Sequence, residues 1–240
     1  MARLRSSVFI VLLVLWTALL ALTIPYYALR NEPRLTRRFS RFWAGGVMVI
    51  LRLVGLAYRT IGEENRPPEP ALYVGNHQSA FETIAAAVLI PDVAIVLKEE
   101  LYRIPVFGWF LKRSPMIAID RAGGASSVKK MFREGREASE HGRNLLIFPE
   151  GTRRAVDERA EFHRGVLLLY KALDLPVVPV VNNAGLFWPA RSFSIRPGTI
   201  TVSYLPSIPP GLPDKEFMAR LTEAIYEERD RLVAQERGHS

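Results

Sequence analysis

Two kinds of apolar pattern divide the chain. Residues 6–29 form an unbroken uncharged run dominated by Leu, Val, Ile and Ala. As one helix at about 1.5 Å per residue such a run reaches roughly 36 Å, enough to cross a bilayer. A second apolar stretch, FWAGGVMVILRLVGLAY at residues 42–58, is shorter and is interrupted by Arg52. It reads as a helix lying in or dipping into one leaflet with Arg52 stretched toward head groups, as the second arm of a re-entrant hairpin, or as the first core helix of a globular domain.

The pattern changes after IGEENRPPEPA (residues 61–71), a charged segment with three prolines. Short apolar and β-branched runs follow at residues 71–75, 93–97, 116–119, 145–148, 177–181 and 199–204. Helix-like stretches at 81–90, 126–140 and 162–173 lie between them, and one at 214–236 closes the chain. Continuous apolar strands alternating with helices predict an α/β fold, a mostly parallel sheet flanked by helices. It is preceded by an N-terminal membrane-embedded or membrane-dipping helical pair, which gives a division into residues 1–60, the anchoring helices, and residues 61–240, the α/β domain.

Composition narrows the classes. Of 240 residues, 49% are hydrophobic and 23% charged, which excludes a disordered chain. The absence of cysteine excludes a disulfide scaffold, a thiolate metal site and a cysteine nucleophile. The net charge of +8 has one location. Residues 1–60 hold nine arginines (Arg3, Arg5, Arg30, Arg34, Arg37, Arg38, Arg41, Arg52, Arg59) against Glu32 alone, so the other 180 residues balance at 23 basic and 23 acidic. Basic charge beside the longest apolar run points to anionic phospholipid rather than to nucleic acid, each arginine near the surface contributing on the order of 1 kcal/mol. The arginines that follow the run bias that side toward the cytoplasm, giving an inner-membrane protein with a cytoplasmic domain. A cleaved signal peptide is the other reading of the first segment, opposed by the length of the run and the basic residues after it.

In parallel sheets ligands bind at the carboxyl ends of strands, and the unusual residues fall there: Asn76 and His77, then Lys98, then Asp120 and Arg121, then Glu150 to Arg153. No GxGxxG, Walker loop or GxSxG accompanies them, so the remaining chemistry is a base beside an anion site. In NHQSAFE (residues 76–82), His77 and Glu82 cannot pair on one continuous helix; they meet if the helix starts at Ser79 and His77 lies in the preceding loop. Ser79 to Glu82 also fits a capping box, in which Glu82 caps a backbone amide. In FPEGTR (residues 148–153), Gly151 lets backbone amides approach an anion, and Arg153 offers a planar fork that Glu150 can fix. A solvated surface turn is the alternative for that segment. His141 and His163 lack acids at ligand spacing and His239 lies in a polar tail, so no metal site is expected.

NHQSAFE, KEELYRIPVFGWFLKRSPMIAIDR (residues 98–121), FPEGTR, and VVPVV before NNAGLFWP (residues 177–189) occur in an order that resembles the four motifs of the glycerolipid acyltransferase family, most closely its bacterial 1-acyl-sn-glycerol-3-phosphate branch. The likeness covers about residues 70–210. It implies that His77 is the base and Glu82 its orienting acid. It also implies that Arg121 and Arg153, with Lys98 and the Glu150, Gly151 and Thr152 turn, serve the acceptor phosphate, and that Pro179 shapes the acyl-donor site. The implied reaction moves an acyl group from acyl-CoA or acyl carrier protein, as co-substrate and without a cofactor, to lysophosphatidic acid. Another acceptor, glycerol-3-phosphate or a lyso-amino lipid, and a non-catalytic phospholipid-binding protein are the alternatives. The family's first motif usually ends in Asp, whereas this chain has Glu82, whose reach is longer by one methylene.

Overall fold

The protein is described by a computed structural model covering residues 2–120, 124–190, 192 and 194–238. Seven strands form one sheet: β1 (Leu56–Ile61), β2 (Leu72–Gly75), β3 (Ala94–Lys98), β4 (Ile117–Ile119), β5 (Leu145–Ile147), β6 (Val177–Asn182) and β7 (Gly198–Tyr204). Their order is β1-β7-β6-β2-β5-β3-β4. The five strands from β6 to β4 are mutually parallel; β7 runs antiparallel to β6, and β1 parallel to β7. The predicted mostly parallel sheet is therefore present, with a reversed pair along one edge.

The period-2 alternation of strand side chains sorts the central strands into two faces. Leu72, Val74, Leu145, Ile147, Val177 and Val181 face one cluster, covered by α6 (Gly124–Glu140), α7 (Gly165–Leu173) and α8 (Asp214–Arg237). Tyr73, Leu146, Val178 and Val202 face the other, covered by α4 (Phe81–Leu89) and, outside it, α3 (Pro33–Leu53). Leu72, Val74, Leu145, Val177 and Val178 are fully buried. Truncating any of the leucines here to Ala would cost about 2–5 kcal/mol.

Three N-terminal expectations are modified. The apolar run at 6–29 is two helices, α1 (Ala2–Ala21) and α2 (Ile24–Arg30), not one. Pro25 lies in the first turn of α2; it has no N–H to continue the ladder and its ring opposes the carbonyl one turn back. The stretch at 42–58 ends as a helix at Leu53, and Gly55 with φ +88° turns the chain into β1. Tyr58 through Ile61, read as a helix end and the start of a linker, pair in register with Ile200 through Ser203 of β7. Of the three readings of that stretch, the core-helix one describes the inner face of α3, where Val47 and Leu51 are buried against α4. A further helix, α5 (Phe107–Arg113), forms from the aromatic segment after β3, its Phe110 stacked on Phe39 of α3 at 4.8 Å.

α1 and α3 are fastened side by side. Trp16 Nε1 donates to the Trp43 carbonyl (3.0 Å) and Trp43 Nε1 to Thr17 Oγ1 (3.1 Å). Gly46 leaves the room Trp16 needs, since a Cβ there would lie 2.4 Å from the indole. At the start of α1, Ser6 Oγ accepts the Ile195 amide at 2.9 Å. Residues 3–21 are long and apolar enough to cross a membrane, with a mean hydropathy of 2.1 and only 11% of the segment buried.

Candidate active site

The site is built by strand register. Val74 of β2 pairs with Ile147 of β5, so the residues that follow, Asn76–His77 and Phe148–Glu150, leave the sheet side by side although they are some 70 positions apart in sequence. On the other side β2 pairs with β6, and the Asn76 and Asn182 side chains lock the two strand ends together. Asn76 Nδ2 donates to the Asn182 carbonyl (2.9 Å), and the Asn182 amide and Nδ2 donate to Asn76 Oδ1 (2.9 and 3.0 Å). Both side chains are buried. With its strand ends pinned in this way, the loop from His77 to Ala80 has little freedom.

α4 begins at Phe81, where the helix-like stretch at 81–90 placed it and two residues after the Ser79 start considered for the His77–Glu82 pairing, and His77 lies in the loop before it. His77 Nδ1 is 2.8 Å from Glu82 Oε1. The same oxygen accepts the amides of Gln78 and Ser79, each at 2.6 Å. Both contacts considered from the sequence are therefore present at once, since the same oxygen meets the loop amides and the imidazole. Because amides only donate, Oε1 is acting as an acceptor throughout, so Nδ1 supplies the proton, and the neutral tautomer this selects has its lone pair on Nε2. Glu82 is 8% exposed, and its extra methylene does not prevent the pairing. Ser79 Oγ accepts the Phe81 amide at 3.2 Å, completing the start of the helix.

Phe148 packs flat on the imidazole, ring centroids 4.4 Å apart and planes 17° from parallel. The FPEGTR motif contains this residue, but nothing in the sequence distinguishes it from a core phenylalanine; the contact is visible only once β2 and β5 are neighbours. The Arg154 amide donates to the His77 carbonyl at 2.7 Å, joining the two loops again.

Glu150 is placed differently from the expectation that it fixes the Arg153 fork. It is 2% exposed and lies near enough to the His77 backbone amide for that amide to favour its charged form. Burial pushes its carboxyl up to about 8, a rise that the Glu82 charge adds to and that the His77 amide, Arg229 and Arg154 oppose. Arg153 is exposed, whereas Arg154 commits its guanidinium to Glu158 at 2.6 Å. Gly151 has φ +68° and Thr152 is half-buried beside it. Lys98 ends β3, exposed, two strands from β2; at strand spacing that is roughly 10 Å from the His77 backbone. Asp120 follows β4 on the outer side of Lys98, and Arg121 lies outside the described residues. Pro179 is buried inside the sheet opposite Val74, three residues short of the end of β6, and its carbonyl accepts the Leu205 amide at 3.0 Å. An apolar cavity of about 30 Å³ lies under α4, bounded by Glu82, Phe148, Ala86 and Tyr204 among others. It has room for about one water and none for a fatty chain.

Residues 58–183, more than half of the chain, match the protein family described as Acyltransferase. The chain belongs to this acyltransferase family. Among its curated relatives is the 1-acyl-sn-glycerol-3-phosphate acyltransferase of Pseudomonas aeruginosa, 37% identical over 167 residues that make up 69% of this chain and 65% of that one. The enzyme of the same name from Limnanthes alba is 28% identical over 204 residues, 84% of this chain and 70% of that one. The chain thus spans about two thirds of the length of these relatives. The crystal structure of the 1-acyl-sn-glycerophosphate (LPA) acyltransferase PlsC from Thermotoga maritima shares the fold, with a TM-score of 0.74 over 98% of both chains at 21% identity. The acyltransferase match begins in β1, the strand the apolar pattern concealed, and ends just past β6, so it contains the whole His77 site and excludes α8.

Proposed function

We propose that this chain moves a fatty acyl group from an acyl thioester to the 2-hydroxyl of 1-acyl-sn-glycerol-3-phosphate, giving phosphatidic acid for phospholipid synthesis. The observation that carries this reading is the 2.8 Å contact of His77 Nδ1 with Glu82, made beside the loop that bears Arg153. Nε2 takes the hydroxyl proton while the oxygen attacks the thioester carbonyl. The new C–O bond forms, the C–S bond breaks, and the imidazolium returns its proton to the departing thiolate. Glu82 steadies the imidazolium in between. Arg153, with Lys98 and Arg121, takes the acceptor phosphate, and the Gly151–Thr152 backbone closes on it, so that binding becomes orientation of the hydroxyl. Pro179 shapes the acyl-donor site from within the sheet. The donor is acyl-CoA or acyl carrier protein, and the reaction as proposed uses no cofactor.

Residues 1–60 serve attachment and residues 61–240 chemistry. α1 is fastened to α3 around Trp16, Thr17 and Trp43, and α3 in turn lies on the domain; this side-on mooring supports a hairpin dipping into one leaflet of the inner membrane with the domain on the cytoplasmic side. Arg34, Arg38, Arg41 and Arg52, all exposed on α3, would face the lipid phosphates.

The test is transfer from a panel of acyl donors to lysophosphatidic acid by the purified chain in phospholipid vesicles. Phosphatidic acid is expected as product, and His77→Ala should lower turnover by about 10²–10⁴-fold without a change in Tm. Near-normal turnover in His77→Ala would sink the mechanism. Arg153→Ala should raise the acceptor KM about tenfold or more; indifference would point to an acceptor without phosphate.

A further inference from the structure

The loop that carries Arg153 is strung between two anchors. One is the His77 loop, through the Arg154 amide. The other is α8, an element outside the family match and contributing none of the site residues described above. Tyr226 of α8 directs its hydroxyl at one residue of the loop, accepting the Ala160 amide and donating to the Ala160 carbonyl, both at 2.8 Å. Arg229, one turn later and 2% exposed, donates to the Glu158 carbonyl at 2.7 Å. Its remaining nitrogens are held by Asp230 at 2.6 and 2.9 Å, and its guanidinium lies 4.5 Å from the centre of the Tyr226 ring. Glu158 in turn holds the guanidinium of Arg154, the residue after Arg153.

This is an expensive way to fasten a surface loop. α8 is already held to the sheet by Phe217, Leu221, Ile225 and Leu232, all buried. Taking a guanidinium out of water adds a cost that only well-made hydrogen bonds return. The return here is spent on the backbone of Glu158 and Ala160, groups that water would otherwise satisfy. What the arrangement secures is the course of the chain from Arg153 to the start of α7.

We propose that Tyr226 and Arg229 are positioning residues for acceptor recognition: they hold the 154–160 segment so that Arg153 is presented to the phosphate in one orientation. The inference rests on the proposed role of Arg153. Tyr226→Phe in the full chain, assayed in vesicles, removes only the hydroxyl. The lysophosphatidic acid KM should rise about tenfold while kcat stays within about twofold and the acyl-donor KM does not move, the split expected when binding is lost and chemistry kept. Amide hydrogen exchange across residues 155–164 should quicken in the same variant, with His77 loop amides unchanged. Arg229→Lys should give a smaller rise of the same kind, and Arg237→Ala, which removes only an exposed bridge to Asp157, should give none. An unchanged acceptor KM in Tyr226→Phe, with wild-type transfer intact, overturns the positioning role alone. A fall of kcat and Tm together with a rise of both KM values reduces it to a packing role. Failure of the wild type to acylate lysophosphatidic acid overturns it along with the reading of Arg153.

Discussion

In the helical hairpin Val11, Val14, Leu15 and Leu19 of α1 are each more than half exposed, while at the strand-end site Asn76, Gln78, Glu82 and Glu150 are all 8% exposed or less. The two regions invert the ordinary distribution in opposite senses, apolar groups outside in one and polar groups inside in the other. Exposed apolar surface is tolerable where something apolar covers it. Buried polar groups are tolerable where each finds a partner, and here most do: Glu82 Oε1 collects three donors and the two asparagines satisfy each other. On the proposed reading the hairpin is thus completed from outside the chain, and the framework of the site is completed from within it, which makes the first sensitive to its surroundings and the second to single atoms.

The sharpest way to break that contrast is at Glu82. Glu82→Gln keeps an oxygen for the loop amides but offers its NH₂ or a misplaced acceptor to Nδ1, so the imidazole loses its enforced tautomer. A loss of about 10²–10⁴-fold in turnover is expected, with Tm nearly unchanged; a loss of Tm of many degrees with turnover retained would show that capping, not orientation, is what Glu82 supplies. Next in size is the hairpin. Val14→Asp with Leu15→Asp places two charges on the exposed face without touching the core, and flotation with anionic vesicles should show binding weakened by about tenfold or more. Turnover on a water-soluble short-chain acceptor should persist; if it vanishes, the hairpin is part of the site and the contrast fails.

The smallest effect is one of pH. The Glu150 carboxyl, raised by burial to about 8 from an ordinary value near 4.5, holds its proton in the folded state over a range where the unfolded chain has lost it. Stability from this group is therefore full below about 4.5 and declines as pH rises through about 8. Glu150→Gln, isosteric and unable to ionise, should flatten that decline when Tm is followed from pH 5 to about 9. A parallel decline in the variant would assign the slope to other groups.

Most of the sheet was legible in the sequence because its inner strands are buried on both faces and so read as unbroken apolar runs: Leu72 to Val74, Leu145 to Ile147 and Val177 to Val181. β1 escaped because nothing polar separates it from the end of an apolar helix at Leu53, and only Gly55 marks the change. The candidate site was legible as a set of strand ends but not as an arrangement. Which ends are neighbours depends on the crossovers that set β5 and β6 on either side of β2, and no local pattern encodes that. Hence the stacking of Phe148 on His77 was invisible, and so was the burial of Glu150 beside an exposed Arg153. The α8 anchor was invisible for the same reason, since Tyr226 and Arg229 look like ordinary members of a polar helix until Ala160 and Glu158 arrive beside them.

The reversal of β1 and β7 has a consequence for traffic. Because β1 runs against the five central strands, its first residue, Leu56, lies at the same edge of the sheet as His77, and α3 therefore hands over to the sheet there with Leu53 exposed. On the proposed reading, one end of the lipid-facing hairpin and the reacting loops share a shoreline. An acceptor lipid would need to move only sideways within its leaflet to arrive, and the encounter would be governed by its density in the membrane plane rather than by its concentration in water.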